Sequence, residues 1–78
     1  MAEAFMLIQT EVGRAEVVAK LIAALPGVLS SEYVTGPYDV VVRVAADDDE
    51  AIRAAVAAVQ GVDGITRTLT CPIAGTSH

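Results

Sequence analysis

The sequence is poor in the residues on which catalytic and disulfide-bonded small proteins depend. It has one cysteine (Cys71), one histidine (His78), no tryptophan and only 4% aromatic residues. A single cysteine excludes a disulfide framework and is typical of a reducing compartment, so we expect a cytoplasmic protein. Because His78 is the last residue, no Cys–His nucleophile pair is expected, and no metal-ligand spacing of Cys and His is present. We therefore predict no catalytic residue, no metal and no cofactor.

Basic residues and long apolar runs are also scarce. Five Lys and Arg stand against ten Asp and Glu, which gives a net charge of −5, and this balance argues against direct binding to a nucleic-acid backbone. Polar residues interrupt every apolar run before it reaches the roughly 20 residues of a membrane span. The first residues, MAEAFML, lack a basic segment, so we expect neither a signal peptide nor contact with a membrane.

What the chain does have is apolar content that is high for its size. Of the 78 residues, 54% are hydrophobic, and the mean hydropathy is +0.55. A chain this short buries only about 60% of its unfolded surface, and no disulfide or metal supports it. We therefore expect a second subunit to complete the core.

Hydrophobic periodicity predicts four strands and two helices. The first helix lies between Gly13 and Pro26, with a buried stripe at residues 18, 21, 22 and 25. The second helix is opened by the acidic run 47–50, with Asp47 as its capping residue, and ends at Gly61. The strands are predicted at residues 4–11, 28–35, 38–45 and 64–71.

This order, βαββαβ, predicts an α+β, ferredoxin-like sandwich in residues 1–73, followed by a loose tail in residues 74–78. Two helices cover one face of a four-stranded antiparallel sheet, with the first and third strands at its centre. Both central strands are apolar on both sides, in one set formed by residues 6, 8, 40, 42 and 44 and another formed by residues 5, 7 and 41. The set that the helices leave uncovered would be an exposed apolar surface in a monomer. We therefore predict a homodimer closed sheet to sheet.

The segment 35–39 is the best candidate for binding a small ligand. Backbone N–H groups in the Gly36 turn suit a carboxylate, Asp39 suits an ammonium group, and Tyr38 adds an apolar wall. Thr66, Thr68 and Thr70 form a second polar ladder that offers hydroxyls to a ligand from a neighbouring chain. A purely structural interpretation also applies, because Gly-Pro makes a turn, Asp39 can satisfy turn amides, and threonines are common in edge strands.

Other polar residues have structural explanations. The run 47–50 lacks the spacing of a calcium loop, and helix capping is the favoured interpretation over a Mg²⁺ or Ca²⁺ site. Cys71 is expected to be a small buried hydrophobe. Either the aliphatic part of Arg67 packs on an edge strand or its guanidinium binds a carboxylate. Arg43 either pairs with a carboxylate at a dimer interface or extends to the end of the sheet.

From residue 5 to residue 72 the chain resembles the ligand-binding (RAM) domain of the Lrp/AsnC family of amino-acid-responsive transcription regulators. The resemblance rests on FMLIQTEVG, LPGV, VTGPYDVVVRV and VDGITRTLTC. It implies sheet-to-sheet dimers, larger rings such as octamers, and an amino-acid effector bound between dimers. It also implies that Gly36, Tyr38 and Asp39 contact the effector, with Thr68 and Thr70 supplied by another subunit. Thr35 is predicted to contact the ligand as part of the same segment.

The resemblance also implies a link to transcription regulation. Family members carry an N-terminal helix-turn-helix domain, whereas Met1 here lies just before the first strand, so we expect a stand-alone effector module. The lead hypothesis is a non-enzymatic, amino-acid-binding oligomer. Two alternatives stay open, a small dimeric α+β barrel enzyme of the oxygenase or isomerase type, and a structural partner of full-length Lrp/AsnC regulators.

Overall fold

A computed structural model describes residues 1–74 of the chain. Residues 75–78, which make up most of the predicted tail and include His78, lie outside the described residues. The elements are β1 (Ala2–Thr10), α1 (Ala15–Ala23), β2 (Val28–Tyr33), β3 (Val40–Ala46), α2 (Asp49–Gln60) and β4 (Ile65–Pro72). Within residues 1–74, neither helix has the length and apolar character needed to cross a membrane.

The four strands form one antiparallel sheet in the order β2-β3-β1-β4. The predicted ferredoxin-like fold is therefore confirmed, with β1 and β3 at the centre. A hairpin joins β2 to β3. Each helix connects two strands of the same sheet, as the order βαββαβ implies.

Both helices pack on one side of the sheet and so decide which apolar set forms the core. The buried strand residues alternate along β1 and β3, as a period of two requires. With the buried helix residues they make up one cluster: Ala4, Met6, Ile8, Val18, Ala19, Ile22, Val40, Val42, Val44, Ala55 and Val59. The opposite side of the sheet, which we call the outer face, carries no helix and includes Phe5, Leu7, Val41 and Leu69.

Two details of the helices differ from the sequence predictions. Leu21 was expected in the buried stripe of α1 but is 47% exposed, and Ala19 is buried instead. The residue that caps α2 is Asp48, not Asp47, because Asp48 Oδ1 accepts a hydrogen bond from the backbone N–H of Ala51 (2.8 Å). In a run of three aspartates, the local extended backbone decides which one can cap, and composition alone cannot show it.

The last strand also departs from simple alternation. The register between β1 and β4 shifts between Gln9 and Thr10, so that Gln9 pairs with Arg67 and Thr10 pairs with Ile65. Thr66 is the extra residue of this bulge. Simple alternation along the strand would place Ile65 on the same side as Arg67, but the bulge turns it toward the core instead.

Two glycines with positive φ lie just before the β-strands that follow the helices. Gly27 (φ 86°) precedes β2 and Gly64 (φ 97°) precedes β4. A β-carbon on Gly27 would lie 3.3 Å from the carbonyl oxygen of Ala45 and 3.3 Å from the β-carbon of Ala55. Both the left-handed backbone and the close approach therefore require glycine at this position.

Replacing Gly27 with alanine is expected to lower the free energy of unfolding by more than about 1 kcal/mol, because alanine strains a positive φ. Gly61→Ala is the matched control. Gly61 caps α2 at φ −82°, and a β-carbon there meets nothing closer than 3.6 Å. Urea unfolding at fixed protein concentration measures both, and equal losses in the two variants would contradict the explanation.

Candidate functional site

An open groove of about 700 Å³ lies where the β2–β3 hairpin meets the end of β1 and the start of α1. We call it the hairpin groove. Its volume is in the range of small-ligand sites, about 300–1,000 Å³. It is lined by Gln9, Thr10, Glu11, Val12, Gly13, Ala15, Glu16, Tyr33, Val34, Thr35, Gly36, Pro37, Asp39 and Thr66.

Asp39 connects the hairpin to the end of β1. Its backbone N–H donates to the carbonyl oxygen of Ile8 (2.8 Å), and its carbonyl accepts from the N–H of Val34 (2.9 Å). The carboxylate atom Oδ2 accepts from the backbone N–H of Thr10 (2.8 Å) and from the Thr10 hydroxyl (3.3 Å). Oδ1 has no hydrogen-bond partner within residues 1–74. Asp39 thus accepts a hydrogen bond from the backbone amide of Thr10, and the other oxygen of this half-buried carboxylate is available to a ligand.

The hairpin turn keeps its glycine in a conformation that leaves the backbone accessible. Gly36 has φ 147°, and a β-carbon at this position would meet nothing within 4 Å. Gln9 braces the turn, because its side-chain amide donates to the carbonyl oxygen of Pro37 (2.9 Å). In the part of the chain that the structure describes, the N–H groups of Thr35 and Gly36 donate to no other residue. They are available to an anionic group of a ligand.

The structure brings some of the predicted site residues together and separates others. Thr35, Gly36, Asp39 and Thr66 all line the hairpin groove. Tyr38 is half-buried and does not line it.

The three predicted threonines of β4 do not all line the same groove. Thr68 lies on the helix-facing side, where its hydroxyl accepts from the side-chain amide of Gln60 (3.3 Å). Thr70 lines a separate groove of about 500 Å³ between α2 and the strands β1 and β4. A contribution of Thr68 and Thr70 to a site in a neighbouring chain stays a prediction.

Sequence reasoning missed the part of the groove that β1 and α1 supply. Gln9 and Thr10 were assigned only to a strand, although they are the polar end of an otherwise apolar segment. Glu11 and Glu16 were also missed. The signal was available in the topology, because β1 and β3 are antiparallel neighbours and the end of β1 must therefore meet the start of β3.

The electrostatic character of the groove is acidic. Three carboxylates line it, those of Glu11, Glu16 and Asp39, and no lysine or arginine is among its lining residues. Glu16 has an exposed partner in Lys20 (3.7 Å), one helical turn away, and such a surface pair contributes little. The groove consequently favours a ligand that carries a positive group.

The outer face of the sheet is apolar at its centre and charged around it. Phe5 is 38% exposed and Leu69 47% exposed, and the half-buried Leu7 and Val41 lie beside them, in the row Val41, Leu7 and Leu69 across the sheet. Arg43 donates hydrogen bonds from Nε (2.8 Å) and from a terminal nitrogen to Oε1 of Glu3, and its guanidinium lies 5.3 Å from the centre of the Phe5 ring. Arg43 is thus held by its own chain.

Arg67 and Cys71 also lie on this face. Arg67 is exposed, opposite Gln9. Cys71 is exposed opposite Phe5, so the prediction of a buried cysteine is wrong for the single chain. The reason is that β4 is an edge strand and Cys71 points away from the helices.

Among residues 1–74, no group of three His, Cys, Asp or Glu side chains is placed to hold a metal ion. The acidic run 47–50 has the structural role that was favoured for it, since Asp48 caps α2. Negative residues in the first turn, Asp49 and Glu50, also interact favourably with the positive end of the helix dipole.

The fold agrees with what comparison with known proteins shows. The Lrp/AsnC ligand-binding domain matches residues 3–76, and the chain belongs to this family. No curated protein matches the chain significantly.

Solved structures of similar proteins include two of nearly the same length. TTHA0845 from Thermus thermophilus is 35% identical, with a TM-score of 0.85 over 94% of this chain and 92% of that one. The hypothetical protein PHS023 from Pyrococcus horikoshii is 27% identical, with a TM-score of 0.86 over 94% and 89%.

A third similar structure is that of a longer protein. The transcriptional regulator NMB0573 from Neisseria meningitidis, solved as a complex with L-Met, is 19% identical with a TM-score of 0.78. The alignment covers 96% of this chain and 51% of that regulator, and at this identity the likeness concerns the fold.

Proposed function

We propose that the chain is a non-enzymatic, cytoplasmic effector-binding module, that its ligand is an amino acid bound in the hairpin groove, and that it serves transcription regulation. The observation that carries this proposal comes from residues 1–74: among them, one oxygen of Asp39 and the N–H groups of Thr35 and Gly36 have no hydrogen-bond partner, and all three residues line the same groove. An α-amino acid presents the complementary pair, an ammonium group for Asp39 and a carboxylate for the turn. Membership of a ligand-binding domain family supports the same interpretation.

We also propose that the working form is a homodimer closed through the outer face, assembled further into a ring. The exposed apolar residues at the centre of that face, Phe5 and Leu69 among them, support this. The hairpin groove of one chain is open, and a neighbouring dimer that supplies Thr68 and Thr70 would close it. Light scattering tests this part, and we expect a mass of at least two chains.

The ligand assignment is tested by a thermal-shift screen of the twenty amino acids, followed by the variant Asp39→Asn. We expect at least one amino acid to raise the melting temperature, since a ligand at 100 times its dissociation constant adds about 2.7 kcal/mol of stability. The asparagine side chain of this variant keeps an oxygen that can accept from Thr10 but loses the negative charge, so the shift should disappear while the fold is retained.

Asp63→Asn is the matched control, because Asp63 is fully exposed and lies outside the groove. It should respond to the ligand as the wild type does. A full response of Asp39→Asn, or the absence of any response of the wild type to all twenty amino acids, would refute the assignment.

A further inference from the structure

The hairpin groove holds more negative charge than a single ammonium group needs. Asp39 shares the lining with Glu11 and Glu16, and no lysine or arginine belongs to it. Glu11 is exposed, and its side chain forms no ion pair or hydrogen bond within residues 1–74. Glu16 pairs with Lys20 (3.7 Å), but both side chains are largely exposed, and such a pair contributes little. A ligand whose one cation binds Asp39 would therefore leave the other two carboxylates without a strong counter-charge.

Arg14, the basic residue that lies between the two glutamates in the sequence, is directed elsewhere. Its guanidinium lies 4.0 Å from Oδ2 of Asp63, and its Nε would lie 3.3 Å from a β-carbon on Gly64. These contacts are with the turn that precedes β4, and Arg14 does not line the hairpin groove. The groove thus keeps its negative charge although a basic residue is near it in the chain.

The backbone places the Glu11 side chain close to Asp39. The N–H of Glu11 donates to the carbonyl oxygen of Gly64 (2.9 Å), and the carbonyl of Glu11 accepts from the N–H of Arg14 (3.0 Å). Glu11 directly follows Thr10, whose N–H donates to the Asp39 carboxylate. Because consecutive Cα atoms are only about 3.8 Å apart, a small ligand bound to Asp39 has the Glu11 carboxylate within its reach.

We infer that the ligand of the hairpin groove is a basic α-amino acid of the lysine or arginine type, selected by Glu11 and Glu16. This rests on the proposed function, in which Asp39 binds the α-ammonium group and the hairpin turn binds the α-carboxylate. The side-chain cation then interacts with the two glutamates. Val12 lines the same groove and suits the methylene part of such a side chain, and Tyr33 adds an aromatic ring, which attracts cations.

The test is isothermal titration calorimetry of the full chain with L-lysine and with L-norleucine, which has the same side chain without its ammonium group. At low salt we expect L-lysine to bind about tenfold more tightly than L-norleucine. The double variant Glu11→Gln/Glu16→Gln should bring the two affinities within about threefold of each other and leave that for L-norleucine within about threefold of the wild type. High salt should reduce the preference of the wild type.

Glu50→Gln is the control, because it removes the same charge from the exposed first turn of α2, outside the groove. It should keep the wild-type preference. L-norleucine binding as tightly as L-lysine, or a double variant with an undiminished preference, would overturn the inference while amino-acid binding itself stands. A wild-type chain that binds none of the twenty amino acids would instead refute the proposed function.

Discussion

Replacing Ile8 with alanine is expected to lower the free energy of unfolding by about 2–5 kcal/mol, the range for removing a large buried aliphatic side chain. Ile8 is completely buried, on the helix-facing side of a central strand. Domains of this size are only marginally stable, so such a loss is a large part of the total. Urea unfolding at one fixed protein concentration measures it, because the proposed assembly would make stability depend on concentration.

Val17→Ala is a suitable control for this substitution. Val17 lies in α1 but is 49% exposed, and its truncation should change the free energy of unfolding by less than about 0.5 kcal/mol. A loss below about 1 kcal/mol for Ile8→Ala would contradict the assignment of the core to the helix-facing side.

Replacing Leu7 with aspartate is expected to convert the proposed dimer into a folded monomer of 8.0 kDa. Leu7 lies next to Ile8 but points to the outer face, at the centre of its apolar patch. Burying about 600 Å² per chain is worth a gross ~15 kcal/mol at about 25 cal/mol per Å². A carboxylate at the centre of that contact has no partner, so we expect the dissociation constant to rise at least about a hundredfold.

Leu21→Asp makes the same change on the solvent side of α1, where Leu21 is 47% exposed. Sedimentation at micromolar concentration should show a monomer for Leu7→Asp and the wild-type assembly for Leu21→Asp. The opposite result, with Leu21→Asp dissociated and Leu7→Asp intact, would place the subunit contact on the helices.

The fold could be predicted because each element is marked locally. Periodicity separates helices from strands, and the Pro26-Gly27 and Gly61 signals end the helices. Which apolar set faces the helices could not be predicted, since Met6 and Leu7 are equally apolar. Only packing against α1 and α2 decides that choice.

Register was harder to predict than element type. The sequence LPGV at residues 25–28 is similar to VQGV at residues 59–62, which would match Gly27 with Gly61. In the structure Gly27 instead corresponds to Gly64, the other positive-φ glycine before a strand. The bulge at Thr66 was also missed, because an extra residue in a strand leaves no trace in a pattern of alternating Thr.

The candidate site was predictable where it depends on a contiguous motif. Thr35, Gly36 and Asp39 come from one hairpin, and the structure places all three in one groove. Gln9, Thr10 and Glu16 come from other elements, and their proximity is a tertiary property. Thr68 and Thr70 are separate from the groove because they pair with Ile8 and Met6, whereas the groove lies at the end of β1.

The two hydrogen bonds that Asp39 makes to Thr10 have a mechanical consequence. The carboxylate that we propose for the ligand ammonium group is thereby fixed to Thr10, the last residue of β1, and the same strand carries Leu7 and Phe5 on the outer face. The contact to Asp39 and the outer-face residues Leu7 and Phe5 therefore lie within five residues of one another on a single strand.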